Sequence, residues 1–396
     1  MADTDVHTQV AIIGAGPAGL LLSHLLAGNG VESVVLETRS EAYVASRIRA
    51  GILEQSTVDL LRGCGLGDRL ESEGDRHRGI YLQWPGERHH IDFVDLTGRS
   101  VWVYGQTEVQ KDLIDARTAA GQAIHYEVAD TALHDIETDS PSVAFTDIEG
   151  RARKIRADVV VGCDGSFGPS RDMVPGDVRR RWEKIYPYSW FGILADVAPS
   201  TDELIYAWHG DGFALHSMRS ATVSRFYLQV PNDTDPQGWS DDRIWEALAT
   251  RLGHGQDGWE LTTGPITDKS VLPMRSFVQT PMTHRRLFLA GDAAHIVPPT
   301  GAKGLNLAVA DVALLAPALA DLVRKDDHRL ADAYSDNALR RVWRCTHFSW
   351  WMTTMLHRSD DPFDEQLQLS QLRWVTSSKA GAAGLAENYA GLPIGF

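Results

Sequence analysis

Three sets of residues in this sequence are of types, and at spacings, that could carry chemistry. The first is Gly14-Ala15-Gly16-Pro17-Ala18-Gly19, a G-x-G-x-x-G run with Glu37 roughly 20 residues further on. In that pattern Gly14 permits a tight turn and Gly16 lets the backbone approach a pyrophosphate. Gly19 allows close packing of helix on strand, and Glu37 accepts hydrogen bonds from ribose hydroxyls. The second set runs through Gly291-Asp292-Ala293-Ala294-His295, Pro298-Pro299-Thr300-Gly301 and Gly304. Here two prolines forbid regular helix where the chain must turn, and the helical pattern that follows presents its N-terminus. Such an end offers free N–H groups and partial positive charge to an anion or an electron-rich ring. The third set is Ser217, Arg219 and Tyr227. Ser217 and Arg219 stand two apart on one strand, and Tyr227 falls on its hairpin partner, so all three can share one face. A guanidinium beside two hydroxyls suits a planar carboxylate, although an edge-strand Arg facing water is the plainer reading of the pattern.

The elements that must position these residues can be read around them. Residues 9–13 and 34–36 are apolar enough for buried strands, with a helix between them ending near Gly28. Residues 158–162 repeat the buried-strand pattern and end at Asp164-Gly165, and residues 287–290 do so again before Gly291. Between about Trp190 and Val230 the texture changes to alternating strands rich in aromatics, which predicts a mainly antiparallel sheet. The helix from Gly304 carries Pro317 in its interior, so a kink or break is expected there. Thr107 is a candidate N-cap for the helix after Tyr104-Gly105. Residues 339–357 form a further helix whose Trp343, Phe348, Trp350 and Trp351 suit a core or a subunit interface. The fold class is therefore α/β, α+β overall. It comprises a Rossmann-like nucleotide unit over 1–180 completed by 281–325, a β-sheet unit over 181–280 and a helical region over 326–396.

Composition narrows the function classes. With 53 acidic against 38 basic residues and a net charge of −15, nucleic acid and anionic membranes are poor general partners. Cys64, Cys163 and Cys345 are odd in number and lack C-x-x-C spacing, which fits a reducing cytoplasm and no disulfide framework. No metal-ligand spacing stands out. The first residues, MADTDVHTQ, have no basic n-region and are not read as a signal peptide. The apolar stretch 10–28 is interrupted by Gly14, Gly16, Pro17, Gly19 and His24, favouring strand–turn–helix over a membrane span.

The segment Gly291 to Asn306 resembles the second flavin motif, GD-A-A-H-x-x-P-P-x-x-G-x-G-x-N, of the aromatic-ring flavoprotein hydroxylases, except that Ala302-Lys303 separate its glycines. Further similarity lies in RIRAGILEQ, VYGQTEV, ELIYA, RSAT, FSWWMT and AENYAGLP, and spans nearly the whole chain. The resemblance implies a GR2-type FAD-binding domain and an FAD-dependent monooxygenase. It further implies that 4-hydroxybenzoate is hydroxylated at C3, with NADH or NADPH as donor, O2 as co-substrate and a flavin C4a-hydroperoxide as the oxygenating species. It assigns FAD to Gly14, Gly16, Ala18, Gly19, Glu37, Arg47, Arg49, Gln106, Asp164, Asp292, Leu305 and Asn306. The aromatic acid goes to Tyr206, Ser217, Met218, Arg219, Tyr227 and Pro299, with the carbonyl of Pro299 accepting from the phenol. Tyr206, Tyr389 and His77 would pass its proton to solvent; from the residues alone, a lone His at a strand start is more often structural. Arg39, Tyr43 and Arg275 would hold the nicotinamide coenzyme, and a homodimer is expected.

Three positions depart from the pattern. Ala18 replaces a serine common in the first loop. Phe167 stands where relatives carry a histidine near the coenzyme, and Thr38 where NADPH-using relatives carry an arginine. The last two, with Glu41 nearby, point to NADH being accepted at least as well as NADPH. The competing readings are a hydroxylase of another phenolic acid and a non-catalytic FAD-binding ligand sensor.

Overall fold

The computed structural model describes residues 6–46, 51–255 and 258–394. Its first sheet is built on strand Val6–Ile13, which pairs in parallel with Ser33–Leu36 on one side and Ala152–Gly162 on the other. Leu287–Leu289 continues the sheet in parallel beyond Ala152–Gly162. These strands read as unbroken apolar runs because helices cover them: Val10, Ala11, Ile12, Val159, Val160 and Leu287 are completely buried. Helix Pro17–Gly28 packs against helix Gly304–Lys325, which in turn packs against helix Arg329–Leu356.

The second sheet has eight strands. Its order is His295–Ile296, Ile266–Thr280, Arg180–Ala195, Ser224–Pro231, Ala214–Met218, Ile205–Ala207, Gly79–Trp84 and Glu87–Asp92. All its pairings are antiparallel except that of Ile205–Ala207 with Gly79–Trp84. Two of these strands come from residues 79–92, inside the span that the sequence assigns to the nucleotide unit. A three-stranded sheet of Ile52–Glu54, Val101–Val103 and Asp75–His77 lies where the chain leaves and re-enters. Helices Pro362–Ser377 and Lys379–Ala390 close the fold, and the latter packs against Phe93–Thr97.

Two local expectations are corrected. Helix Gly304–Lys325 runs through Pro317 without a break. The proline removes one hydrogen bond to the Ala313 carbonyl, but burial of the helix between its two neighbours holds it together. This is also the one described helix long and apolar enough to cross a membrane, and most of it is buried inside the protein. The helix after Tyr104 begins at Gln106 with Gly105 as N-cap, so Thr107 lies in its first turn and caps nothing. The Gly105 carbonyl accepts from Glu108 and Val109, which starts the helix two residues earlier than a Thr107 cap would.

Candidate active site

The Gly-rich loop forms a cradle whose shape is dictated by backbone proximity. Gly14 has φ +105, and a Cβ there would lie 2.3 Å from the Cys163 carbonyl oxygen. A Cβ on Gly19 would lie 2.0 Å from the Gly14 oxygen, whereas one on Gly16 would face open space. Helix Pro17–Gly28 starts at Gly16 with no side-chain cap, leaving its N–H groups to a ligand. Glu37 is fixed by two backbone donors, Ala15 N–H on Oε2 and Arg39 N–H on Oε1, both at 2.8 Å. Ala18 and Ala308 close on Gly291, so the two flavin-motif helices meet at the Gly291-Asp292 turn. Asp292 itself is exposed, and its carbonyl accepts from Arg171. Asp164 accepts from Ser170 N–H at 2.9 Å on Oδ2, its Oδ1 is buried without a partner, and burial pushes its carboxyl pKa up. Free N–H groups, an open Gly16 and a ribose-height carboxylate together fit FAD. Sequence reasoning missed Gln110, whose Nε2 donates to the Ala15 carbonyl at 2.6 Å. Its spacing of four from Gln106, one turn along the same helix face, was the available signal.

A second site lies on one face of the second sheet. Tyr206 sits opposite Leu215, Leu215 opposite Tyr227, and Ser217 opposite Arg225. Side chains alternate, so Tyr206, Leu215, Tyr227 and Ser217 share a face, and Arg219 continues it just past the strand end. Tyr206, Tyr227, Leu215 and Met218 belong to one buried cluster. The Arg219 guanidinium lies against Gly105, and a Cβ there would be 3.1 Å from it. Burial, then the neighbouring Arg225, pulls the Arg219 pKa down, and no carboxylate lies within ion-pair distance of it among the described residues. A half-buried cation without a partner anion is a site for an acidic ligand.

At the other end of this face the Tyr206 and Tyr389 hydroxyls are 2.6 Å apart, both buried. Burial pushes both phenols well above their ordinary pKa, and the Tyr389 hydroxyl offsets part of that at Tyr206. His77 is buried too. Its Nε2 lies 3.1 Å from Asp75 Oδ2, which opens to solvent, and its Nδ1 has no partner. No hydrogen bond joins Tyr389 to His77 among the described residues. The His77 bond is the main cause of a lowered Asp75 pKa. The Pro299 carbonyl accepts from Ala302 N–H at 2.9 Å and keeps a second lone pair.

A family model described as an FAD binding domain matches residues 7–349. The chain is also 50% identical over 391 residues to p-hydroxybenzoate hydroxylase from Acinetobacter baylyi, covering 98% of this chain and 96% of the relative. The chain belongs to the FAD-binding family of p-hydroxybenzoate hydroxylase. A more distant relative, 3-amino-4-hydroxybenzoate 2-monooxygenase of Streptomyces cremeus, is 28% identical over 80% of this chain and 79% of its own length. Among solved structures, p-nitrophenol 4-monooxygenase from Pseudomonas putida shares the fold, with a TM-score of 0.81 at 19% identity. The match covers 98% of this chain and 99% of that one.

Within this family member, the remaining expected residues divide. Arg47 and Arg49 lie outside the described residues. Gln106 opens its helix beside Gly105, and Leu305 is half-buried in the first turn of the Gly304 helix. Asn306 spends its whole side chain internally: Oδ1 accepts from Glu54 N–H and the Thr57 hydroxyl, and Nδ2 donates to the Ile52 and Ala302 carbonyls. Only its backbone is left for a flavin. Lys303, noted only as part of the motif, has its ammonium group buried between Glu54 Oε1 and the Tyr389 carbonyl. On the surface, the Arg39 guanidinium lies 5.3 Å from the Tyr43 ring centroid. Arg275 pairs with Glu183 at 3.3 Å and stands 6.0 Å from the ring of Phe167, which is 95% exposed.

Proposed function

We propose that this protein is an FAD-dependent monooxygenase that hydroxylates 4-hydroxybenzoate at C3 to 3,4-dihydroxybenzoate, using NADH or NADPH and O2. One observation carries the substrate reading. One sheet face holds a guanidinium with no ion-pair partner among the described residues, two hydroxyls beside it, and Tyr206, whose hydroxyl meets that of Tyr389 from the helix packed over it. A benzoate bearing a para hydroxyl has complementary groups at its two ends. Arg219 would take the carboxylate in its planar fork, with the Ser217 and Tyr227 hydroxyls as further donors and Met218 walling the pocket.

When bound, FAD supplies acceptance of a hydride from the nicotinamide and transfer of one oxygen atom to the ring. The cradle around Gly14, Gly16, Ala18, Gly19 and Glu37 would hold its nucleotide half, and Gln106, Asp164, Asp292 and the N–H groups of Leu305 and Asn306 would hold the remainder. The protein's own task is to make the ring electron-rich by removing the phenolic proton in a dry pocket. Each tyrosine hydroxyl accepts with one lone pair while donating its hydrogen, so a proton taken by Tyr206 emerges from Tyr389 without a charged intermediate being stranded. His77, with Asp75 beside it, would pass the proton on to solvent on coming within reach of the Tyr389 hydroxyl. The Pro299 carbonyl orients the phenol through its free lone pair.

We assign FAD to residues 1–180 and 281–325 without the 79–92 hairpin, substrate to 181–280 with that hairpin, and a homodimer contact to 326–396. Partial exposure of Trp343, Trp350, Phe363 and Trp374 supports that contact. Arg39, Tyr43 and Arg275 are assigned to the coenzyme, with NADH accepted at least as well as NADPH. The location is cytoplasmic. The test is product identification: FAD-loaded protein supplied with NADH, O2 and a panel of phenolic acids is expected to form 3,4-dihydroxybenzoate from 4-hydroxybenzoate. NADH consumption yielding only peroxide across the panel removes this reading.

A further inference from the structure

The C-terminal end of helix Lys379–Ala390 is held by three cations. Lys303 donates to the carbonyl of Tyr389 at 2.8 Å, and Arg99 donates to that of Gly391 at 2.5 Å. Arg341 donates to the carbonyls of Leu392 and Pro393 at 2.9 and 3.3 Å. A single carboxylate joins two of these cations. Glu54 takes Lys303 on Oε1 at 2.7 Å and Arg341 on Oε2 at 2.5 Å.

Lys303, Glu54 and Arg341 are all buried. Placing three ions in the interior costs several kcal/mol each before pairing, so their mutual geometry has to be close to ideal for the fold to keep them. Gly391 shows the same constraint from the other side. A Cβ there would lie 2.1 Å from Glu54 Oε2, so the glycine leaves room for the carboxylate. The consequence falls on Tyr389. Its ring hangs from backbone whose carbonyls at 389, 391, 392 and 393 are each gripped. Its hydroxyl must meet Tyr206 at 2.6 Å. Among the described residues Arg341 makes no hydrogen bond to either tyrosine.

We infer that Arg341 is a positioning residue for the Tyr206–Tyr389 hydrogen bond, acting through Glu54, Lys303 and the backbone carbonyls of residues 389–393. This rests on the proton path proposed above. It separates Arg341 from a merely structural cation, because its loss misplaces one hydroxyl rather than loosening the fold in general.

The test is a double-mutant cycle in FAD-loaded protein. R341M is expected to keep FAD and to bind 4-hydroxybenzoate within about threefold of wild type, while product per NADH falls about tenfold, as for a sub-ångström misplacement. Y389F falls comparably. The double variant is expected to be no worse than Y389F alone, because no aligned hydroxyl remains to be displaced. R341K keeps a cation beside Glu54 but cannot serve Glu54 and the two carbonyls from separate nitrogens as Nη2 and Nη1 do, and should fall between R341M and wild type. A second readout needs no turnover: the pH midpoint for ionisation of bound 4-hydroxybenzoate, followed in the ultraviolet, should move up in R341M. Losses that multiply in the double variant, or an unmoved midpoint, overturn the inference. If R341M does not hold FAD, R341K carries the same cycle and criteria. Failure of the functional reading shows separately, as absence of product in the wild type, and the bound-phenol titration still decides the role of Arg341.

Discussion

Removing one hydroxyl from Tyr206 leaves its packing in place and cuts the only described hydrogen bond between the pocket and Tyr389. Tyr206→Phe should therefore retain FAD and bind substrate, yet oxidise NADH mainly with reduction of O2 to peroxide. Measuring product per NADH decides this, and wild-type coupling would take Tyr206 out of the proton path. Arg219→Lys exchanges a planar fork for a point charge. It should weaken 4-hydroxybenzoate binding by about 2–4 kcal/mol with FAD content unchanged, checked by titrating substrate against flavin absorbance. A dissociation constant near that of the wild type would mean the carboxylate is held elsewhere. The Arg219 end of the pocket was legible in strand spacing, because period-2 alternation and a short hairpin put Ser217 and Tyr227 on one face, whereas the Tyr206–Tyr389 end was carried only by the family resemblance. The Lys303–Glu54–Arg341 set was not legible. Its members lie 249 and 287 residues apart along the chain, and no local pattern marks an ion pair formed only by tertiary packing. Asn306 was legible as a motif member, but its use as a four-way internal bond was not.

At the scale of elements, the strand–loop–helix of the nucleotide cradle is the most constrained feature. A Cβ at Gly14 or Gly19 would overlap backbone oxygen, and backbone cannot move aside as a side-chain tip can. Gly19→Ala is expected to yield protein largely free of FAD; isolation of normally yellow protein would show that the loop can relax. The turn from Gly291 to His295 is clamped differently. The Asp311 carboxylate accepts from Gly291 N–H at 2.9 Å and meets His295 Nε2 at 2.6 Å. Burial works against protonation of His295, but Asp311 outweighs it and the pKa is raised. A group whose folded pKa is raised contributes stability that is fully present below its unfolded value, about 6.5, and lost as pH rises through the folded value. The melting temperature should therefore decline as pH is raised above neutrality, and His295→Asn should flatten that decline. Identical slopes for both proteins would exclude the pair as its source. Glycine spacing and apolar runs made this strand–turn–helix legible. The unbroken passage through Pro317 was not, because packing on both sides overrides a local rule.

For the molecule as a whole, the charge of −15 bears on coenzyme choice. NADPH adds a phosphate dianion, and the expected entry region offers Arg39 but also Glu37 and Glu41. kcat/KM with NADH should equal or exceed that with NADPH. Thr38→Arg should shift the preference toward NADPH by roughly 1–2 kcal/mol, as for one charge-assisted hydrogen bond. A wild-type preference of about tenfold or more for NADPH, equivalent to about 1.4 kcal/mol, would contradict this. The parallel nucleotide sheet and the mainly antiparallel second sheet were legible at this scale, whereas the migration of residues 79–92 into the second sheet was not, since alternation names a strand without naming its neighbour.

That migration has a consequence for how the protein comes into being. Strand Ile205–Ala207, which carries Tyr206, has Gly79–Trp84 as one flank, a segment synthesised more than a hundred residues earlier. The hydroxyl partner of Tyr206, Tyr389, lies 183 residues further along the chain. The 79–92 hairpin therefore has no partner for its Gly79–Trp84 edge until Ile205–Ala207 has been made, and the nascent chain must hold that edge open in the meantime. Chains stalled between residues 92 and 205 should accordingly be captured by chaperones through that unpaired edge.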